Sequence, residues 1–238
     1  YLAEAAVRLI QQSGLLPEGS LQLVIGSTGD LLDRLQAQDV VTFTGSADTA
    51  AKLRAHPNLI ANSIPFNAEA DSLNCAILGP DVNVDDEEFD LFVKEVAREM
   101  TTKAGQKCTA IRRAIVPRQH LDAISEKLAA RLSKTVIGDP ALESVRMGPL
   151  ASRAQQRDVE ERVALLKQSA ELILGAGSHF QPQGDGVGDG AFFAPTLLLA
   201  RDTSAGSPVH EVEAFGPVST LMPYDGIDEA LQVAARGQ

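Results

Sequence analysis

Apolar positions along the chain follow two periods. Leu2, Ala5, Ala6, Leu9 and Ile10 recur at helical spacing until Gly14 stops the run. Residues 21–25 read as a strand, 29–36 as a helix, and 40–44 as a second strand running into Gly45-Ser46 and another short helix. A third strand is expected over 74–78. The clearest element comes next: Phe89, Phe92, Val93, Val96 and Met100 fall on one helical face, and Asp85, Asp86, Glu87 and Glu88 complement the positive end of its dipole.

Residues 104–108 break that helix, and 111–116 resume as a strand closed by Pro117. Leu121, Ile124, Leu128 and Leu132 then mark a helix over 120–132. Gly138, Pro140, Gly148 and Pro149 punctuate the chain before a long helix over 153–169, which leads to Gly175-Ala176-Gly177 and a polar, glycine-rich loop over 181–190. Strands alternating with helices imply an α/β fold, with parallel, Rossmann-like sheets flanked by helices. A shift in composition near residue 104 divides the chain into 1–103 and 104–238. Both ends lie inside helix-like runs, the second over 227–235, so a fragment of a larger chain is expected.

The 238 residues carry 21 Lys+Arg against 32 Asp+Glu, a formal charge of −11. An acidic chain whose clearest basic run is Arg112-Arg113 does not suit phosphate neutralisation, so no nucleic-acid partner is expected. Hydrophobic content of 44% and charged content of 22% are those of a globular protein. No apolar run approaches the roughly 18 residues of a membrane span, and no export signal opens the chain, so no membrane partner is expected. Two cysteines, Cys75 and Cys108, make no disulfide framework and point to a reducing cytoplasm. His56, His120, His179 and His210 are scattered, and no structural metal is expected.

Locally, the candidate chemistry stays open. Phe43-Thr44-Gly45-Ser46 closes a strand and opens a helix, where backbone N–H groups and a hydroxyl can hold a phosphate; an ordinary N-cap has the same pattern. Gly26 and Gly29 do not make the G-x-G-x-x-G dinucleotide fingerprint. Cys108 stands between Lys107 and Thr109 in a glycine-containing break, a setting for an accessible thiolate with a cation beside it. Cys75 lies in an apolar strand and reads as a small buried hydrophobe. Glu69, among small residues, is locally no more than a solvated carboxylate.

Order and spacing change the weighting. Phe43-Thr44-Gly45-Ser46, Glu69, Gly105-Gln106-Lys107-Cys108, Met147-Gly148-Pro149-Leu150, Phe192-Phe193-Ala194-Pro195-Thr196 and Glu213-Ala214-Phe215-Gly216-Pro217-Val218 together resemble the landmarks of the aldehyde dehydrogenase superfamily. The segments 63–74 and 98–113 resemble the subgroup that oxidises CoA-linked semialdehydes in aerobic aromatic degradation. The chain departs from the general family at Asp71-Ser72-Leu73, where Gly-Gly-Lys is usual, at Lys103 for Asn, and at Ala50 for a second Gly. Cys108 also follows Glu69 by 39 positions, a few more than usual.

The resemblance implies a nicotinamide-dependent oxidation of an aldehyde to its acid. Cys108 is then the nucleophile, with its own N–H and an upstream asparagine stabilising the oxyanion, and Glu69 is the base that activates water. Gly45 and Ser46 would hold the cofactor pyrophosphate, Glu213 the nicotinamide ribose, and Phe215 would pack beside it. NADP⁺ is favoured over NAD⁺, the substrate would be a CoA-linked aldehyde, and the full-length protein would be a cytoplasmic homodimer. Residues 1–103 would be the C-terminal part of a cofactor domain and 104–238 a truncated catalytic domain. Phe192, Phe193, Pro195 and Leu197 read as core, and 147–150 as a structural turn. Two other readings remain, an acylating dehydrogenase that transfers to free CoA and a non-catalytic, dehydrogenase-like binding module; Glu69 counts against the first.

Overall fold

The computed structural model describes residues 1–175 and 180–237. Two compact units divide after Ala70. In the first, α1 (Leu2–Gln12) matches the helical pattern but buries none of its side chains. Strand β1 (Val41–Gly45) leads through Ser46 into α2 (Ala47–Arg54) and α3 (Pro57–Ala61), and β2 (Phe66–Ala70) lies parallel to β1. Residues 21–25 form no strand: Leu23, Val24 and Ile25 are exposed, and no strand among the described residues pairs with them. The helix expected over 29–36 shrinks to a single 3-10 turn, Leu31–Arg34.

The second unit, Asp71–Gln238, is built on a five-stranded sheet. Its strands are β3 (Cys75–Ile77), β4 (Arg113–Pro117), β5 (Ala170–Leu174), β6 (Thr196–Ala200) and β7 (Val218–Tyr224), in the order β3-β4-β7-β6-β5. All neighbours are parallel except β5 and β6. The helices are α4 (Glu87–Thr101), α5 (Leu121–Leu132), α6 (Arg153–Leu166) and α7 (Ile227–Ala235).

Strand periodicity sends alternate side chains to opposite faces. Ala114, Val116, Leu197 and Leu221 join Phe89, Val93 and Val96 of α4 and Ile124 and Leu128 of α5 in one core. Ile115, Leu198 and Met222 join Val159 and Val163 of α6 and Ala230 and Val233 of α7 in the other. Each face of the sheet is therefore sealed by its own pair of helices, as a parallel sheet requires. Phe192 and Phe193 are core residues; Met147 and Leu150 are buried in the same cluster, and the 147–150 segment is extended rather than a turn, with Met147 bridged to Ile137.

The boundary between compact units lies upstream of the composition shift near residue 104. Strand β3 pairs with β4, and the apolar face of α4 enters the same core as Leu197 and Leu221, so 71–103 fold together with the segments that carry β4 to β7. In the Gly175-Ala176-Gly177 stretch, Gly175 follows β5 and is close-packed, with an added Cβ 2.3 Å from the Pro195 carbonyl oxygen; Ala176 and Gly177 lie outside the described residues.

Phe89 anchors the α4 face. It is fully buried, meets the His120 ring edge-on at 6.0 Å between centroids, and carries the Lys127 ammonium 4.9 Å from its centroid. Phe89→Ala is expected to lower unfolding stability by about 3–5 kcal/mol through cavity formation, read by urea denaturation; a loss below about 1 kcal/mol would show that this core readily collapses around the gap.

Candidate active site

The six residues singled out in the sequence fall into two groups, one in each unit. In the first unit, β1 and β2 run parallel in a register that sets Thr44 opposite Glu69 and Gly45 opposite Ala70. The Gly45-Ser46 turn and Glu69 thus share the carboxyl end of the two strands, the end at which α/β sheets bind ligands. Ser46 is the N-cap of α2, its Oγ accepting from the Thr49 N–H at 3.3 Å and donating to Thr49 Oγ1 at 2.9 Å. A Cβ on Gly45 would lie 2.4 Å from the Phe43 ring, so the ring lies over bare backbone. Glu69 is exposed.

In the second unit the site starts where α4 ends. Lys103, Ala104 and Gly105 all have φ between 53° and 68°, three left-handed residues in a row. Such a run is costly for the two that carry a Cβ and turns the chain sharply. Gly105 fills the tightest position: an added Cβ would lie 2.1 Å from the Gly216 carbonyl oxygen. Gln106 Oε1 accepts the Ala151 N–H at 2.8 Å and ties the turn to the residue that follows the 147–150 segment. Cys108 then emerges exposed, and among the described residues no acceptor meets its N–H. Lys107, expected beside the thiol as an activating cation, places its ammonium 2.5 Å from Glu99 Oε2 instead. Cys75, by contrast, is only half-buried and packs against the core.

A buried guanidinium holds this loop. Arg112 Nη2 donates to the Gly105 carbonyl at 2.8 Å, Nη1 to the Gly216 carbonyl at 2.7 Å, and Nε to Glu213 Oε1 at 3.2 Å. Its Cζ sits 5.4 Å from the Phe215 ring centroid. One side chain therefore joins the turn before Cys108 to the Glu213–Gly216 segment. Glu213, whose side chain is 7% exposed, also accepts the Ser72 N–H on Oε2 at 3.2 Å. Burial pushes its carboxyl above the usual range, opposed by Arg112 and by the Ser72 N–H. Burial likewise lowers Arg112, opposed by Glu213.

Each Glu213 oxygen takes one of these bonds and keeps acceptor capacity for a hydroxyl. That acceptor chemistry fits a ribose. Gln155 Nε2 donates to the Phe215 carbonyl at 3.0 Å, so α6 fixes the same segment from the other side. From Asp71 onward the structure brings together Cys108, Glu213 and Phe215 and adds three residues that the sequence reading missed: Arg112, Ser72 and Asn74. Ser72 Oγ and Asn74 Nδ2 both donate to the Cys108 carbonyl. The available signal was the Arg112-Arg113 pair, since two arginines entering an apolar strand must be buried and partnered.

Gly105→Ala should remodel the cysteine turn, because the added methyl meets main-chain atoms of Gly216 and Pro217 that cannot rotate away. The expected outcome is a loss of at least about 2 kcal/mol of unfolding stability together with a changed rate of Cys108 alkylation. Wild-type values for both would mean that the close approach is not required.

A profile of the aldehyde dehydrogenase family matches residues 1–237. Over 237 residues the chain is 46% identical to 3,4-dehydroadipyl-CoA semialdehyde dehydrogenase of Aromatoleum evansii, covering 100% of this chain and 46% of that protein. It is 30% identical to 3-succinoylsemialdehyde-pyridine dehydrogenase of a Pseudomonas species, over 98% of this chain and 47% of the relative. Among solved structures, betaine aldehyde dehydrogenase from Staphylococcus aureus in complex with NAD⁺ superposes with a TM-score of 0.83 at 26% identity, over 98% of this chain and 45% of that one. The chain thus spans about half the length of the relatives it matches. A family profile that matches residues 1–237 shows that the chain belongs to the aldehyde dehydrogenase family.

Proposed function

We propose that the protein containing this chain oxidises an aldehyde carried on a CoA thioester to the carboxylic acid, using a nicotinamide dinucleotide. The observation that carries this reading is an exposed Cys108 on a loop locked by Arg112 to the segment bearing Glu213. The name of the 46%-identical relative supports the CoA-linked semialdehyde. The subgroup resemblance favours NADP⁺, with NAD⁺ as the alternative.

On this reading the Cys108 thiolate adds to the aldehyde carbon, and the Cys108 N–H donates to the oxyanion that forms. When bound, the dinucleotide supplies an acceptor for the hydride that leaves this carbon. The resulting thioester on Cys108 is cleaved by water whose proton passes to Glu69, releasing the acid and restoring the thiolate. Glu213 accepts hydroxyls of the nicotinamide ribose, held in place by Arg112 and the Ser72 N–H, with Phe215 packed beside it. Gly45 and Ser46 take the pyrophosphate at the start of α2, where the helix dipole favours negative charge. Transfer of the acyl group to free CoA would leave Glu69 without a task.

In the full-length protein, Cys108→Ala should abolish nicotinamide reduction, while Glu69→Gln should give a single burst of reduced nicotinamide and then fall to less than about a hundredth of the wild-type steady rate. Unimpaired turnover in Glu69→Gln would remove Glu69 from the mechanism. Equal kcat/KM for simple and CoA-linked aldehydes would remove the CoA substrate.

A further inference from the structure

We propose that Ser72 is a positioning residue that couples the Glu213 carboxylate to the backbone of Cys108, using its main-chain N–H for the first and its hydroxyl for the second. The proposal rests on the catalytic reading of Cys108 and Glu213. The Ser72 N–H donates to Glu213 Oε2 at 3.2 Å, and its hydroxyl donates to the Cys108 carbonyl. That carbonyl also receives Asn74 Nδ2, which in turn reaches Ser72 Oγ at 2.9 Å and the Ala110 carbonyl at 3.3 Å. The hydroxyl has one proton to give, and the Cys108 oxygen, which cannot donate, takes it.

Ser72 can act as a fixed post because its neighbours are tied down. The next residue, Leu73, is buried, and its carbonyl accepts Arg113 Nε at 2.8 Å. The Asn74 carbonyl accepts the N–H groups of both Arg112 and Arg113. Two donors on the Cys108 carbonyl hold the peptide plane that follows the nucleophile, and with it the backbone from which the thiol projects. The ribose acceptor and the nucleophile therefore share a reference point, so that displacement of one is felt by the other.

The two links separate chemically. An alanine at 72 keeps the N–H that serves Glu213 and loses the hydroxyl that serves Cys108. The experiment uses the full-length enzyme as wild type, Ser72→Ala and Ser72→Thr. It measures steady-state nicotinamide reduction and, separately, iodoacetamide labelling of Cys108 followed by peptide mass spectrometry. Ser72→Ala is expected to lower kcat and the Cys108 alkylation rate by about 3- to 10-fold, the effect of one hydrogen bond, with KM for the dinucleotide held within about twofold. Ser72→Thr, which restores a hydroxyl, should recover both rates.

Wild-type kcat and alkylation in Ser72→Ala, or no recovery in Ser72→Thr, would overturn the proposal. A raised dinucleotide KM with unchanged kcat would overturn it as well, by assigning Ser72 to Glu213 alone. Should the wild-type enzyme fail to reduce nicotinamide in a Cys108-dependent way, the oxidation reading falls by itself; the alkylation rates still decide the role of Ser72.

Discussion

Arg112 sets the geometry on which the second unit's site depends. A guanidinium that is 4% exposed must satisfy its donors inside the protein, and it does so on three acceptors from two segments of the chain. Gly105 and Gly216 supply carbonyls and Glu213 supplies a carboxylate. Lysine could not replace it, since one ammonium has no planar fork with which to reach all three in fixed directions. The tight approach of Gly105 to Gly216 stems from the same arrangement: one guanidinium draws both carbonyls toward itself, and only a residue without Cβ fits between them.

Such a centre is costly. Burial lowers Arg112 and raises Glu213, each toward its uncharged form, and their mutual attraction opposes both shifts. A buried pair of this kind seldom adds net stability, so its value lies in specificity of geometry. The left-handed backbone at Lys103 and Ala104 points the same way. Strain of that sort persists only where surrounding contacts over-determine it, and Arg112, Gln106 and Ser72 supply those contacts.

The amphipathic helices were the most legible part of the sequence. The apolar faces of α4 and α5 repeat without interruption, and the structure buries all of the named residues except Phe92 and Leu121, which are half-buried against the same core. Strands were harder. Val218–Tyr224 is a central, fully buried strand, yet Ser219, Thr220 and Pro223 deprive it of both an apolar run and an alternation. Residues 21–25 show the converse, a strand-like run without a partner strand among the described residues. Among the candidate site residues, Cys108 had a local setting for a thiolate, whereas Glu69 and Glu213 stood out only through the order of motifs. Ser72 and Asn74 carry no local signal, because their partners lie more than thirty positions away in the chain. Arg112 was visible as a charge but not as a hub, since its role depends on carbonyls and carbonyls leave no trace in a sequence.

The claim that Arg112 and Glu213 act as one unit is tested most directly by a double-mutant cycle. Unfolding free energies of wild type, Arg112→Gln, Glu213→Gln and the double variant give the coupling between the two side chains. A coupling of about 1–3 kcal/mol is expected, with the double variant less destabilised than the sum of the single ones, because each single change strands a buried charge. Additivity within about 0.5 kcal/mol would contradict it and reduce the pair to two neighbours without a shared task.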